Sequence, residues 1–125
     1  MTVSNESPVH AARIARIADV LVSCQWVVRR EELHADIVAF RPGQPGVWAV
    51  EFERRCNAYW IGRNARRNHA NGAVGIVFVA ENVALAEKIR RALGALPAGI
   101  RCKAWVLATG EFTAEFVRNN MERKV

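Results

Sequence analysis

Three acidic residues stand within a stretch of this 125-residue chain that is otherwise built as a β-hairpin. Residues 35–40 (Ala-Asp-Ile-Val-Ala-Phe) and 47–53 (Val-Trp-Ala-Val-Glu-Phe-Glu) are β-rich runs, and the Arg-Pro-Gly-Gln-Pro-Gly between them carries two Pro-Gly steps that mark a turn. Closing the hairpin symmetrically about residues 41–46 sets Phe40 opposite Val47 and brings Asp36 opposite Glu51. Opposed residues of an antiparallel pair share a face with Cβ atoms about 4.5–5.5 Å apart, and Glu53 returns to that face two residues on. Val38, Phe40, Val47 and Ala49 line the same face, while Ile37, Ala39, Trp48, Val50 and Phe52 line the other. Carboxylates clustered at one end of an apolar sheet repel one another, so each raises its pKa or finds a cation. A hard divalent ion resolves the conflict, and Mg²⁺ takes one or two carboxylates and completes its shell with water and substrate phosphate. The plainer alternative is a solvated strand end in which the acids pair with Arg54, Arg55 or Arg29. A one-residue slip in register would move Asp36 to the opposite face.

A basic segment follows. Residues 54–70 hold five arginines, Arg54, Arg55, Arg63, Arg66 and Arg67, and no acid. The last three fall at i, i+3 and i+4, on one face of a helix. Tyr59 and Trp60 could stack on exposed bases, and Asn64 and Asn68 could donate to phosphate or base edges. The alternative is an ordinary solvated helix face with Trp60 in the core. His34 shares the face of Asp36 if the strand starts early, and is read as structural in preference to a metal or phosphate ligand. His69, near the end of the basic helix, could donate a proton or simply favour a helix C-terminus, and His10 is expected at the surface. Glu31 and Glu32 could add a ligand or pair with Arg29 or Arg30. There is no Gly-rich phosphate loop, GxSxG elbow or HExxH, which removes support for nucleotide hydrolysis, serine hydrolysis and zinc proteolysis.

The elements that must position these groups follow from periodicity. Ser7-Pro8 is an N-cap and N1 pair ahead of Ile14, Ile17, Ala18 and Leu21, predicting a helix over about 8–23. Residues 26–28 read as a short strand ahead of the hairpin. A helix over 58–70 stops at Asn71-Gly72, and Ala73–Ala80 is a continuous apolar run that suits a strand buried on both faces. Asn82 caps a helix over about 83–94, residues 101–107 make an edge strand, and 113–121 a short closing helix carrying Phe116. The order α-β-β-β-α-β-α-β describes an α/β fold, a mixed sheet flanked by helices, in one domain over residues 1–125 with 108–125 as a C-terminal tail or short helix. A composition 51% hydrophobic and 24% charged excludes a disordered chain. A net charge of +6, with Arg far outnumbering Lys, favours polyanions and makes DNA the expected partner. Cys24, Cys56 and Cys102 form no CxxC pair and have no His at ligand spacing, which argues against zinc and disulfide scaffolds. With no signal-like or membrane-length apolar stretch, a cytoplasmic protein is expected. The edge strand or the tail around Phe112 and Phe116 could support a homodimer or larger complex.

The element order with Asp36, fourteen intervening residues and then Glu51-Phe52-Glu53 resembles the core of the PD-(D/E)xK, or restriction-endonuclease-like, superfamily. Within it, His34-Ala35-Asp36 and Ala49-Val50-Glu51-Phe52-Glu53-Arg54 look most like the His-Pro-Asp and Glu-x-Asp/Glu elements of the replication-relaxation proteins of plasmids and integrative elements. The similarity spans roughly residues 9–107. It implies a restriction-endonuclease-like core that acts on DNA, with Asp36 and Glu51 as ligands of Mg²⁺ (Mn²⁺ as substitute) in phosphodiester hydrolysis. Glu53 stands where the superfamily has a lysine, and Ala35 where the usual proline would be. The arginines of the following helix cannot act as bases, because guanidinium does not deprotonate, but can stabilise charge on a scissile phosphate. The same fold without catalysis, as a DNA-binding or protein-interaction module, is the alternative.

Overall fold

The computed structural model describes residues 8–30, 35–94 and 103–122; His34, Glu31, Glu32 and Cys102 lie outside them. Helix α1 (Pro8–Ser23) buries Ile14, Ile17 and Leu21, one stripe at helical spacing. It ends without a glycine: Gln25 takes the left-handed conformation at φ 70°. The Trp26 amide then donates to the Leu21 carbonyl and the Gln25 amide to the Val22 carbonyl, the two bonds of a Schellman closure. Strands β1 (Val27–Arg30), β2 (Ile37–Phe40) and β3 (Val47–Glu53) form an antiparallel meander. Helix α2 (Ala58–Ala70) then crosses to β4 (Ala73–Ala80), parallel to β3, and α3 (Val83–Gly94) crosses to β5 (Lys103–Ala108), parallel to β4. The five-stranded sheet has the order β1-β2-β3-β4-β5 and mixed polarity, so β4 is interior and β5 an edge, as the sequence predicts.

The hairpin register is the symmetric one: Ile37 pairs with Val50, Val38 with Ala49 and Ala39 with Trp48. The two faces separate accordingly. Ile37, Ala39, Trp48, Val50 and Phe52 pack with α1, and Val38 and Ala49 pack with Ile61, Ala65, Leu85, Ala86 and Ile89 of α2 and α3. Between Val47 and Trp48 the register with β4 shifts, leaving Val74 outside the ladder and exposed. Trp48 then lies directly over Gly75, where a Cβ would collide with its ring.

The segment after β5 is part of the core. A 3₁₀ turn (Thr109–Glu111) leads into a short helix, α4 (Ala114–Phe116), which widens into a π-helical turn (Val117–Met121). Phe112, Val117 and Met121 are fully buried against the α1 face of the sheet. The expectation that aromatic residues here present a dimerising surface is corrected for Phe112, which is 0% exposed. Phe116 packs half-buried on Trp105 and Phe112. Among the described residues no helix is long and apolar enough to cross a membrane.

Candidate functional site

The acids meet where the carboxyl ends of β3 and β4 emerge from the sheet, the end at which open α/β sheets place their ligand crevices. Asp36 sits one residue before β2, so the register that pairs Ile37 with Val50 carries it to Glu51. Its Oδ2 accepts from the Phe52 amide at 2.8 Å, which fixes the carboxylate against β3 between the two glutamates. Glu51 is 5% exposed, under α2, and its Oε1 accepts from Asn68 Nδ2 at 3.2 Å. Burial, then the Asp36 charge, pushes its pKa from the ordinary 4.5 up to about 8, and the Asn68 bond and the Asp36 backbone amide offset only part of this. Glu53, half-buried one strand period further out, rises to about 7 for the same two reasons, with a hydrogen bond from Asn64 working against the rise. The reading of the acids as a solvated strand end therefore does not describe Glu51. The groups that soften the two glutamates are neutral amides, while Arg54 Nε holds Glu81 at 3.3 Å.

A cleft of about 580 Å³ opens beside Glu53, lined also by His10, Phe52, Arg54, Arg55, Glu81 and Asn82. Asn82 Oδ1 accepts from the Leu85 amide and caps α3 at its rim. His10, expected at the surface, instead faces this site: its Nε2 is 3.6 Å from Asp36 Oδ1 with a side chain only 25% exposed, and its ring meets Phe52 edge-on at 5.4 Å. The sequence held the signal. His10 precedes Ile14, Ile17 and Leu21 by four, seven and eleven residues, which is the phase of the buried stripe.

Helix α2 divides its polar residues between two directions. Asn57 caps it, accepting from the Tyr59 and Trp60 amides. Ile61, Ala65 and Asn68 turn inward. Asn64 and Asn68, expected to donate to phosphate or base edges, bond the carboxylates instead. Arg63 and Arg66 are exposed and Arg67 half-buried on the side away from the core, while Arg55 is exposed at the cleft. Trp60 is not in the core; it is 51% exposed. His69, at the other end of the helix, is half-buried with its Nδ1 facing no hydrogen-bond partner. Among the described residues the free thiols are Cys24, buried, and Cys56, half-buried.

The chemistry this arrangement supports is that of hard oxygen donors. Asp36 raises the proton affinity of both glutamates and Glu53 raises that of Glu51, so a divalent cation is the species that would relieve them. Among the described residues no three His, Cys, Asp or Glu side chains are grouped to hold a metal ion as they stand. Mg²⁺, however, needs only one or two carboxylates. No protein-family model, curated protein or solved structure matches the chain, so its function is read from the chemistry of this site.

Proposed function

We propose that this chain is a restriction-endonuclease-like domain of a plasmid or mobile element that hydrolyses phosphodiester bonds of DNA with Mg²⁺. The observation that carries the reading is the convergence of Asp36, Glu51 and Glu53 at the carboxyl ends of two parallel strands, beside a cleft bordered by Arg54 and Arg55. The element order from α1 to β4, with Asp36 ahead of β2 and Glu51 within β3, is the one on which the family resemblance rests. Asp36 and Glu51 would hold the metal, whose chemistry is to lower the pKa of a bound water and to stabilise phosphate charge. Glu53 lines the cleft, and a pKa near 7 lets it take up a proton at neutral pH. Arg55 borders the same cleft and would supply positive charge for a phosphate there, next to Arg54, which is paired with Glu81.

The test is cleavage of supercoiled and single-stranded DNA with Mg²⁺ or Mn²⁺. Wild type should cut and Glu51→Ala should not; equal background from both would end the enzymatic reading. Calorimetric metal titration of wild type against Asp36→Asn reads the site without relying on cleavage. A second reading, a catalytically inactive DNA-binding or interaction module, is favoured by Glu53 in place of the motif lysine and by the outward arginine face of α2. It expects salt-dependent DNA binding that survives Glu51→Ala and weakens in Arg66→Ala/Arg67→Ala.

A further inference from the structure

Tyr59 and Trp60 are the only exposed Phe, Tyr or Trp side chains among the described residues, 60% and 51% exposed, and they are adjacent in the first turn of α2. They are also held in place. Their rings meet edge to face with centroids 5.2 Å apart, the Arg63 guanidinium lies 5.5 Å from the Trp60 ring centroid, and Arg63 Nη1 donates to the Tyr59 hydroxyl at 3.1 Å. An indole fixed in this way loses little side-chain freedom when a flat partner is laid on it.

Helical spacing ties this cluster to the acids. Asn68 bonds Glu51, Asn64 bonds Glu53, and Trp60 is the next residue of the same i, i+4 series. At 1.5 Å rise per residue it stands about 6 Å beyond Asn64 along the helix axis, at the end of α2 nearest Arg54 and Arg55.

We propose that Tyr59, Trp60 and Arg63 form a base-stacking platform for single-stranded DNA, seating an unpaired base on Trp60 while the adjoining backbone runs past Arg54 and Arg55 toward Asp36, Glu51 and Glu53. This rests on the DNA-acting reading above and adds to it the state of the strand. In a duplex both faces of every base are stacked, so a protruding indole has no π-face to meet; an unpaired base offers one, whatever its sequence. The surroundings match a nucleic acid in charge: five arginines and no acid lie between residues 54 and 70. The neighbouring exposed positions Arg63 and Arg66 give the patch a cationic border.

The experiment is fluorescence anisotropy of a labelled oligothymidylate, and of the same strand in duplex, with EDTA present so that nothing is cut. Wild type should bind the single strand more tightly than the duplex, and Trp60→Ala should weaken single-strand binding about tenfold while leaving duplex binding unchanged. Trp60→Phe, which keeps a stacking ring, should retain most of the affinity and shows that the platform rather than folding is being read. Trp26 and Trp48 are 3% and 4% exposed and Trp105 is half-buried against Phe116, so quenching of intrinsic fluorescence by the oligonucleotide should largely disappear in Trp60→Phe. Unchanged single-strand affinity in Trp60→Ala, or an equal loss on duplex, would overturn the platform and leave the DNA-acting reading standing. Failure of wild type to bind either strand state would overturn both.

Discussion

Replacing Glu51 with Gln should make the protein more stable at neutral pH and flatten its dependence on pH. Glu51 rises from 4.5 to about 8 on folding. Between those pH values the native state keeps a proton that the unfolded chain has released, so stability is full below about 4.5 and declines as pH rises to about 8. At 1.36 kcal/mol per pH unit the loss is on the order of 5 kcal/mol above pH 8 and on the order of 3 kcal/mol at pH 7. Gln is neutral at every pH and its Oε1 can still accept from Asn68, but it gives up acceptor capacity toward the Asp36 amide, at roughly 1 kcal/mol. The net expectation is a variant about 2 kcal/mol more stable than wild type at pH 7. Urea denaturation in EDTA, followed by circular dichroism from about pH 5 to about pH 8.5, measures this. Glu53 titrates with a pKa near 7, so the decisive window lies between pH 7 and 8, where wild type should lose over about 1 kcal/mol and the variant only about 0.3 kcal/mol. A variant with the wild-type slope in that window, or one less stable than wild type at pH 8, would refute the raised pKa of Glu51.

Three further perturbations address the scaffold. Gly75→Ala should cost about 1–3 kcal/mol by equilibrium denaturation, because its Cβ would enter the space of the buried Trp48 ring; unchanged stability would show that the ring yields freely. Phe112→Ala should cost about 3–5 kcal/mol, since the ring is fully enclosed between α1 and the closing helix; a loss under 1 kcal/mol would return the C-terminal segment to the status of a tail. His10→Ala should lower stability by no more than about 1 kcal/mol, as the pair with Asp36 is partly solvated, while calorimetric metal titration persists; loss of metal binding would make His10 part of the donor set.

Much of the scaffold is legible locally. The bounds of α1, β3, α2, β4 and α3 follow from apolar periodicity, Pro8 and the Asn71-Gly72 stop, because each is decided by side chains within a turn or two of one another. The hairpin register matches symmetric closure of the turn at residues 41–46; both faces of the pair are apolar, so the side-chain pattern alone did not exclude a slip by one residue. Strand β1 runs one residue later at its start and two at its end than predicted, β2 starts two residues later, and β5 ends one residue later. The environment of the site was less legible. Arg54 precedes a helix of arginines, yet its Nε pairs with Glu81, a residue brought near only by the parallel crossover from β3 to β4. Asn64 and Asn68 read as phosphate donors on an isolated helix, and become carboxylate donors once Ile61 and Ala65 dock that helix on the sheet.

What the sequence determined by itself is that Glu51 and Glu53 share a face, through alternation of period two, and that a symmetric closure of the turn brings Asp36 to them, the register that the structure has. What only the tertiary structure decided is how those acids behave and what surrounds them. Desolvation depends on the elements laid over a side chain, so Glu51 becomes a proton-holding group only when α2 covers it. By the same packing His10 is drawn to Asp36, Phe112 into the core, and Trp60 outward from the first turn of α2, where water or a ligand must meet it.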